Sequence, residues 1–324
     1  MINSVKRCNG DIFREHSNYI KEKSNKAIFA LANKTKSFGK LDPIVSLYLF
    51  DCFVKPILTY GSDAWGYNDL INKTIEKVHL RYAKYVLGVK TSTSTIKVLG
   101  DLGRLPLSTD THFHLLNNYQ RLTNLNSITR IENVFKHMLD LTNYGANTWA
   151  MKVNGILDKY NCNPDILYDK KCLKRIIRQF HTNEWQIAVN DLTSNPGLKL
   201  YQKIKQTLYF EPYLTIPNYK VRNAISRIRL SSHMLSVEKG RHNNVPINAR
   251  LCLYCDNKCI EDEIHFITNC TFYDTERKDL FSKLDIISSL SNEDVFCQLL
   301  KSPDTATLTL LGKFISNCFK KRNS

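Results

Sequence analysis

The residues best suited to chemistry in this sequence are four potential metal ligands near its C-terminal end. Cys252 and Cys255 are separated by two residues, and His265 and Cys270 by four. Two thiolates at a Cys-x2-Cys spacing reach one metal ion from a tight turn, and an imidazole and a third thiolate complete a tetrahedron, the coordination that Zn²⁺ prefers. The spacing therefore predicts a zinc site. Four protein ligands leave no open position for a reacting water, so the predicted role is structural.

The local backbone and neighbouring residues refine this prediction. On an ideal helix His265 and Cys270 would point about 140° apart, so the chain must leave the helix before Cys270, and Asn269 is the expected exit. Cys259 either replaces a ligand or stays free beside the site, and the commoner spacing of Cys252 and Cys255 favours the second. The alternative is that these are unrelated residues of a chain with ten cysteines. The acidic run 261–263 is interpreted as solvated surface.

The distribution of charge predicts a polyanionic partner. The chain carries 46 Lys and Arg against 30 Asp and Glu, a net charge of +16, and such a surface attracts nucleic acid because neutralised phosphates release counterions. Residues 251–279 carry a net charge of −4, whereas residues 218–250 carry +6. We therefore expect zinc to anchor a fold that presents basic helices to a phosphate backbone, and the sequence leaves RNA and DNA open. The predicted contacts are Lys171, Arg175, Arg178, Lys220, Arg222, Arg227, Arg229, Lys239 and Arg241.

Apolar periodicity predicts that the elements positioning these residues are overwhelmingly helical. Ile71, Ile75, Val78, Tyr82 and Val86 recur every three or four residues, and Gly88 follows as a left-handed cap. The predicted fold class is mainly α, with helical bundles and a small CCHC zinc knuckle near the C-terminus. Three regions are expected: a basic helical region at 1–110, a helical connector at 111–210, and a basic helix with the knuckle and C-terminal helices at 211–324.

Several other classes of protein are excluded or disfavoured. No apolar run reaches the roughly 18 residues that a membrane span requires, and the start of the chain has no secretory signal. We therefore expect an intracellular protein of the nucleus, the cytoplasm or both. No Gly-x-Ser-x-Gly elbow, Walker loop or His-Glu-x-x-His motif occurs, so no catalytic residue and no enzyme activity is predicted.

Five sequence blocks resemble the region that follows the polymerase core in non-LTR (LINE-type) retrotransposon reverse transcriptases. They are Leu49–Leu58 with Tyr60–Ser62 and Trp65–Gly66, Glu76–Val89, Leu102–Leu107, Arg227–His233 with Glu238–Arg241, and the knuckle followed by Tyr273 and Arg277. Ala64 stands where the family often has an acidic residue. The resemblance spans roughly residues 25–280, in the family's order.

The resemblance implies a thumb and a C-terminal region that grips nucleic acid, with element RNA, target DNA and a polymerase part as partners. The family polymerase holds two Mg²⁺ ions with an Asp-Asp pair, and no such dipeptide occurs here. We therefore expect a separated or truncated C-terminal part without polymerase activity. The alternative is a helical protein-interaction remnant that no longer binds nucleic acid.

Overall fold

A computed structural model describes residues 11–125, 130–284 and 290–323 of the chain. This part of the chain is built from helices, and its only extended pairings are the isolated bridges Leu102–Phe210 and Leu251–Ile260. The prediction of a mainly α fold is therefore confirmed. Within the same residues, no helix combines the length and apolar character needed to cross a bilayer.

The described residues form α-helices along most of their length. In chain order they are α1 (Asp11–Thr35), α2 (Pro43–Phe53), α3 (Lys55–Thr59), α4 (Ser62–Trp65), α5 (Asp69–Leu87), α6 (Thr95–Asp101), α7 (Ser108–Thr123), α8 (Arg130–Asn143), α9 (Trp149–Lys159), α10 (Lys170–Asn190), α11 (Lys199–Ile204), α12 (Tyr219–Arg229), α13 (Ser236–His242), α14 (Glu263–Thr268), α15 (Asp274–Ser282), α16 (Asn292–Lys301) and α17 (Thr305–Asn323). Short 3-10 turns lie at Lys36–Phe38, Pro196–Leu198, Pro212–Thr215, Ile247–Ala249 and Thr271–Tyr273.

The strongest periodic pattern folds as its sequence predicts. Helix α5 begins at Asp69 and ends at Leu87, and Ile71 and Ile75 on its apolar face are fully buried. Gly88 follows with a φ of 67°, a left-handed conformation that a residue without Cβ adopts at little cost. The predicted face and the predicted C-terminal cap are both present.

The chain divides into two compact units, each assembled from segments that are distant in sequence. Unit 1 comprises Met1–Ser37, Tyr48–Tyr82 and Leu105–Glu184, and unit 2 comprises Phe38–Leu47, Ala83–Arg104 and Trp185–Ser324. Three of its five boundaries fall inside α2, α5 and α10, and the three consecutive regions expected at 1–110, 111–210 and 211–324 stay a prediction. Apolar periodicity runs unbroken along such helices, so it gives no signal of a boundary.

Unit 1 has a core formed by α7, α8, α9 and α10. Leu115 and Leu116 of α7, Val153 of α9, and Leu173 and Ile177 of α10 are fully buried there. The apolar stripe of α10 is therefore its packed face. Lys171, Arg175 and Arg178 lie on the exposed remainder of that helix.

Unit 2 has a core that joins α12 and α17 to the Cys/His segment. A Cβ at Gly312 of α17 would lie 2.5 Å from Cγ1 of Val221 in α12, so the close approach of these helices requires a glycine. Phe266 of α14 is fully buried in the same core, as is Cys270. Of the predicted metal ligands, Cys252, His265 and Cys270 are therefore buried in this unit, and Cys255 is half-buried against its core.

Candidate metal centre and basic groove

The first half of the candidate metal centre is a tight reversal of the chain. Leu251 and Ile260 form an antiparallel bridge, and the amide of Cys252 donates to the carbonyl of Cys259 over 2.8 Å. Lys258 has a φ of 46°, in the left-handed region that tight turns often use. This reversal carries Cys252 and Cys255 on one side of the site.

The second half is a capped short helix followed by an extended residue. The carboxylate of Asp262 accepts a 2.7 Å hydrogen bond from the amide of His265 and caps the start of α14. The helix ends at Thr268, and the amide of Cys270 donates to the carbonyl of His265 over 2.9 Å. The expectation that the chain leaves the helix at Asn269 is confirmed, and this exit returns Cys270 to the same side as His265.

The geometry of the four side chains fits a tetrahedral metal ion. One ligand atom from each of Cys252, Cys255, His265 and Cys270 lies within 4.8 Å of all the others. The Sγ atoms of Cys252 and Cys270 are 3.8 Å apart, and Sγ of Cys255 is 3.4 Å from Nε2 of His265. With metal–sulfur and metal–nitrogen bonds of about 2.3 and 2.0 Å, a tetrahedron requires about 3.8 and about 3.5 Å. The cluster can therefore hold a metal ion.

Burial favours the neutral forms of the ligand side chains. Burial raises the pKa of the Cys270 thiol to about 12 and raises the pKa of Cys252 as well. Burial lowers the pKa of His265, which keeps the imidazole neutral and able to coordinate. A divalent cation offsets the cost of ionising buried thiols, because metal coordination stabilises the thiolate directly.

Cys259 lies outside the four-residue cluster. Its backbone carbonyl pairs with Cys252, while its Sγ is 3.3 Å from the carbonyl oxygen of Asn257. The side chain is half-buried. Of the two sequence-based alternatives for Cys259, the geometry favours a free thiol beside the site.

The acidic run next to the cluster is not solvated surface, so that interpretation is wrong. Glu261 is 1% exposed; it accepts hydrogen bonds of 2.7 Å from both the amide and the hydroxyl of Ser236 and pairs with Arg322. Glu263 is also buried and lies 2.9 Å from Nε2 of His233. Burial opposes its ionisation, but His233, a backbone hydrogen bond and the charge of Lys97 together outweigh burial and lower the pKa of Glu263 to about 2. These carboxylates connect the metal segment to α13 and α17, which sequence spacing alone does not reveal.

Two of the nine predicted nucleic-acid contacts are buried, so the prediction is wrong for these two residues. Arg229 has a fully buried side chain that pairs with Asp101 over 2.9 Å and with Glu211 over 3.0 Å. Burial opposes its charge, but these carboxylates outweigh burial and raise the pKa of Arg229. Arg222 is 3% exposed and donates to the carbonyls of Ile216 and Leu41. Neither guanidinium is accessible to a phosphate, because each forms its hydrogen bonds inside unit 2.

Three other predicted contacts of unit 2 line a single groove. Lys220, Arg227 and Lys239 border a cavity of about 390 Å³ at the exposed ends of α12 and α17. Lys320 and Arg322 of α17 line the same groove and were not predicted. The net positive charge of the last ten residues is the sequence feature that could have indicated them. Of the remaining predicted residues, Arg241 is exposed and pairs with Glu238 over 2.6 Å. Lys171, Arg175 and Arg178 are exposed on α10.

The basic groove has aromatic and apolar side chains among its cations. The residues that line it are Tyr219, Lys220, Asn223, Ala224, Arg227, His233, Met234, Lys239, Tyr254, Ser316, Phe319, Lys320, Arg322 and Asn323. No Asp or Glu is among them. Arg322 lies over the ring of Tyr254 at 4.3 Å and pairs with buried Glu261. Tyr254 belongs to the Cys252–Cys255 turn, so the metal segment forms part of the groove wall.

Comparisons with protein-family models, curated proteins and solved structures gave no match to this chain.

Proposed function

We propose that this chain binds nucleic acid through the basic groove of unit 2, and that a structural zinc ion at Cys252, Cys255, His265 and Cys270 holds one wall of that groove in place. The observation that carries the proposal is the composition of the groove: four exposed cationic side chains, Lys220, Arg227, Lys239 and Lys320, and two tyrosines, with no carboxylate lining it. Cations track a phosphate backbone, and aromatic rings stack on exposed bases.

The choice of zinc follows from the ligand set. Three sulfurs and one imidazole nitrogen in a compact tetrahedral arrangement suit Zn²⁺, whereas oxygen ligands suit Mg²⁺ or Ca²⁺. Four protein ligands close the coordination sphere, so the ion stabilises the fold and activates no water. Its place in the unit 2 core, beside Phe266 and Tyr273, suits that role.

The wider context proposed is the post-polymerase region of a non-LTR retrotransposon reverse transcriptase. Its support is the order of the five sequence blocks, together with a basic helix, α12, that precedes the Cys/His segment. In that context element RNA or target DNA occupies the groove, and a separate polymerase part supplies the chemistry. We propose no polymerase activity for the chain itself.

The experiment is a titration of fluorescent RNA and DNA oligonucleotides with the metal-loaded full chain at several salt concentrations. Replacing Lys220, Arg227 and Lys239 by Ala should weaken binding and reduce the slope of log K against log salt by about 2, because each lost contact to a single strand removes about 0.7. Replacing Lys278, Lys301 and Lys313, three exposed lysines of unit 2 outside the groove, removes the same charge and should leave most of the affinity.

A second candidate function is favoured by one observation. Ile131 and Val134 of α8 are 62% and 71% exposed and Leu141 is 41% exposed, at spacings that place them on one side of the helix. Such a row suits the interaction remnant without nucleic-acid binding. The same titration decides between the two proposed functions. Absence of oligonucleotide binding at physiological salt would favour the protein-interaction remnant and would contradict nucleic-acid binding in the basic groove.

A further inference from the structure

A second polar cavity of unit 2 is separate from the basic groove. It has a volume of about 210 Å³, and its polar lining includes Ser92, Thr93, Ser94, Lys97, Ser231 and Arg241, with Glu238 as the acidic member. No residue lines both this cavity and the basic groove. Because hydroxyl groups and cations dominate its wall, the cavity suits an anion.

The cation at the inner wall lacks a direct counter-charge. Lys97 is 3% exposed, and its Nζ donates to Oγ of Ser231 over 2.8 Å. In the described part of the chain, no carboxylate oxygen lies within 4.0 Å of this ammonium group; Glu263 accepts instead from Ser231, over 3.2 Å. Burial lowers the pKa of Lys97. An anion in the cavity would give the Lys97 ammonium group the oppositely charged neighbour that the described residues do not supply.

A buried hydroxyl in the same wall also lacks a partner. Thr93 is 7% exposed, and within the described residues its Oγ1 makes no hydrogen bond. A buried donor left unsatisfied is costly, so native structures seldom retain one without a reason such as a ligand. This observation is independent of Lys97, because it lies on a different side chain and concerns a neutral group.

The outer side of the cavity carries an exposed guanidinium. Nε and Nη2 of Arg241 donate to Oε2 of Glu238 over 3.1 and 2.6 Å, which neutralises the acidic member of the wall. Arg241 has further N–H donors to offer, and its side chain is 53% exposed. Planar guanidinium groups match the oxygens of phosphate.

We propose that this cavity binds a phosphate group, held by the Lys97 ammonium and the Thr93 hydroxyl from the inside and by Arg241 from the solvent side. Ser92 and Ser94 add hydroxyl donors to the same oxygens. The phosphate belongs either to a free nucleotide or to a nucleic-acid strand, and both sources present the same oxygens.

The test is a calorimetric titration of the metal-loaded full chain with inorganic phosphate, repeated on Thr93→Val and Lys97→Met. Valine has nearly the shape of threonine and removes a hydroxyl that no other residue uses, so Thr93→Val should fold normally. We expect saturable binding by the parent chain, a loss of roughly tenfold or more in Thr93→Val, the size of one hydrogen bond to a charged group, and no detectable binding in Lys97→Met.

The groove variant Lys220→Ala/Arg227→Ala/Lys239→Ala is the matched control and should keep its phosphate affinity. A 5′-phosphorylated oligonucleotide that binds more tightly than its 5′-hydroxyl form, with the difference lost in Thr93→Val, identifies a terminal phosphate; a Thr93→Val effect on both forms identifies the strand backbone. The proposal is overturned if phosphate gives no saturable heat at millimolar concentrations, or if Thr93→Val binds it as well as the parent chain. Neither result would affect the groove titration.

Discussion

Arg227 and Arg229 are two residues apart on α12, but they have different roles in the structure. Arg227 is exposed in the basic groove, whereas the side chain of Arg229 is fully buried. Arg229 also donates to the carbonyl of Leu300 over 2.7 Å. We therefore predict that Arg229→Met lowers the stability of unit 2, and that Arg227→Met leaves it almost unchanged.

The magnitude follows from what Arg229→Met leaves behind. Asp101 retains hydrogen bonds from the hydroxyls of Tyr201 and Tyr213, each over 2.9 Å, and Glu211 retains Lys205 at 2.6 Å. In this variant the buried carboxylates of Asp101 and Glu211 are left with one buried cation, the ammonium group of Lys205. Removing one partner of a buried ion pair costs about 3–5 kcal/mol, since the other charge remains desolvated, and this corresponds to a fall of roughly 6–20 °C in Tm.

The assay is urea unfolding of both variants, monitored by circular dichroism. Arg227→Met should stay within about 0.5 kcal/mol of the parent chain, as exposed substitutions usually do. The double variant Arg229→Met/Asp101→Asn should lose less free energy of unfolding than the sum of the single variants, because it removes both members of the pair. If Arg229→Met unfolds within about 1 kcal/mol of the parent, the network around Asp101 is not what stabilises this unit.

Three further predictions concern the metal, the groove and pH. Cys270→Ala should abolish stoichiometric zinc binding in metal analysis and lower Tm, while Cys259→Ala should keep the ion; equal losses would place Cys259 among the ligands. Arg227→Met should weaken oligonucleotide binding in the anisotropy titration and reduce the salt slope by about 0.7, whereas an unchanged slope would remove Arg227 from the interface. Unit 1 should lose stability in acid, because Tyr160 bridges His112 and His181 at 2.6 and 2.9 Å and burial lowers their pKa values to about 3 and about 4. Both histidines are neutral in the folded state, so their contribution is complete above pH 6.5 and is lost as the pH falls toward those values: about 1.4 kcal/mol for each histidine between pH 7.5 and 5.5. Urea unfolding at the two pH values should show a smaller difference in His112→Asn/His181→Gln, and an equal difference would rule out this origin.

Much of the local structure was predictable because it depends on short stretches of chain. The period of Ile71, Ile75 and Val78 predicts the buried face of α5, and glycine at position 88 predicts its end. The angle between His265 and Cys270 on a helix predicts the exit at Asn269. Each of these inferences uses geometry that operates within about twenty residues.

The role of each charged side chain was harder to predict. Lys, Arg and Glu side chains are long, and their preference for water is overridden wherever a partner from a distant segment meets them inside the fold. Arg229 pairs with Asp101, which is 128 positions away in the sequence, and Glu261 pairs with Arg322, which is 61 positions away. A count of charge between residues 218 and 250 cannot distinguish Arg229 from Arg227 or Lys239.

The sequence by itself determined the helical class, the buried face and the end of α5, and the four side chains that form the Cys/His cluster, because periodicity and ligand spacing act over short stretches of chain. The tertiary structure decided which cations are free to meet a ligand, which acids support the cluster, and where two cavities form. Those properties depend on which distant residues share the interior of unit 2, where most buried charges lie beside a partner from another segment.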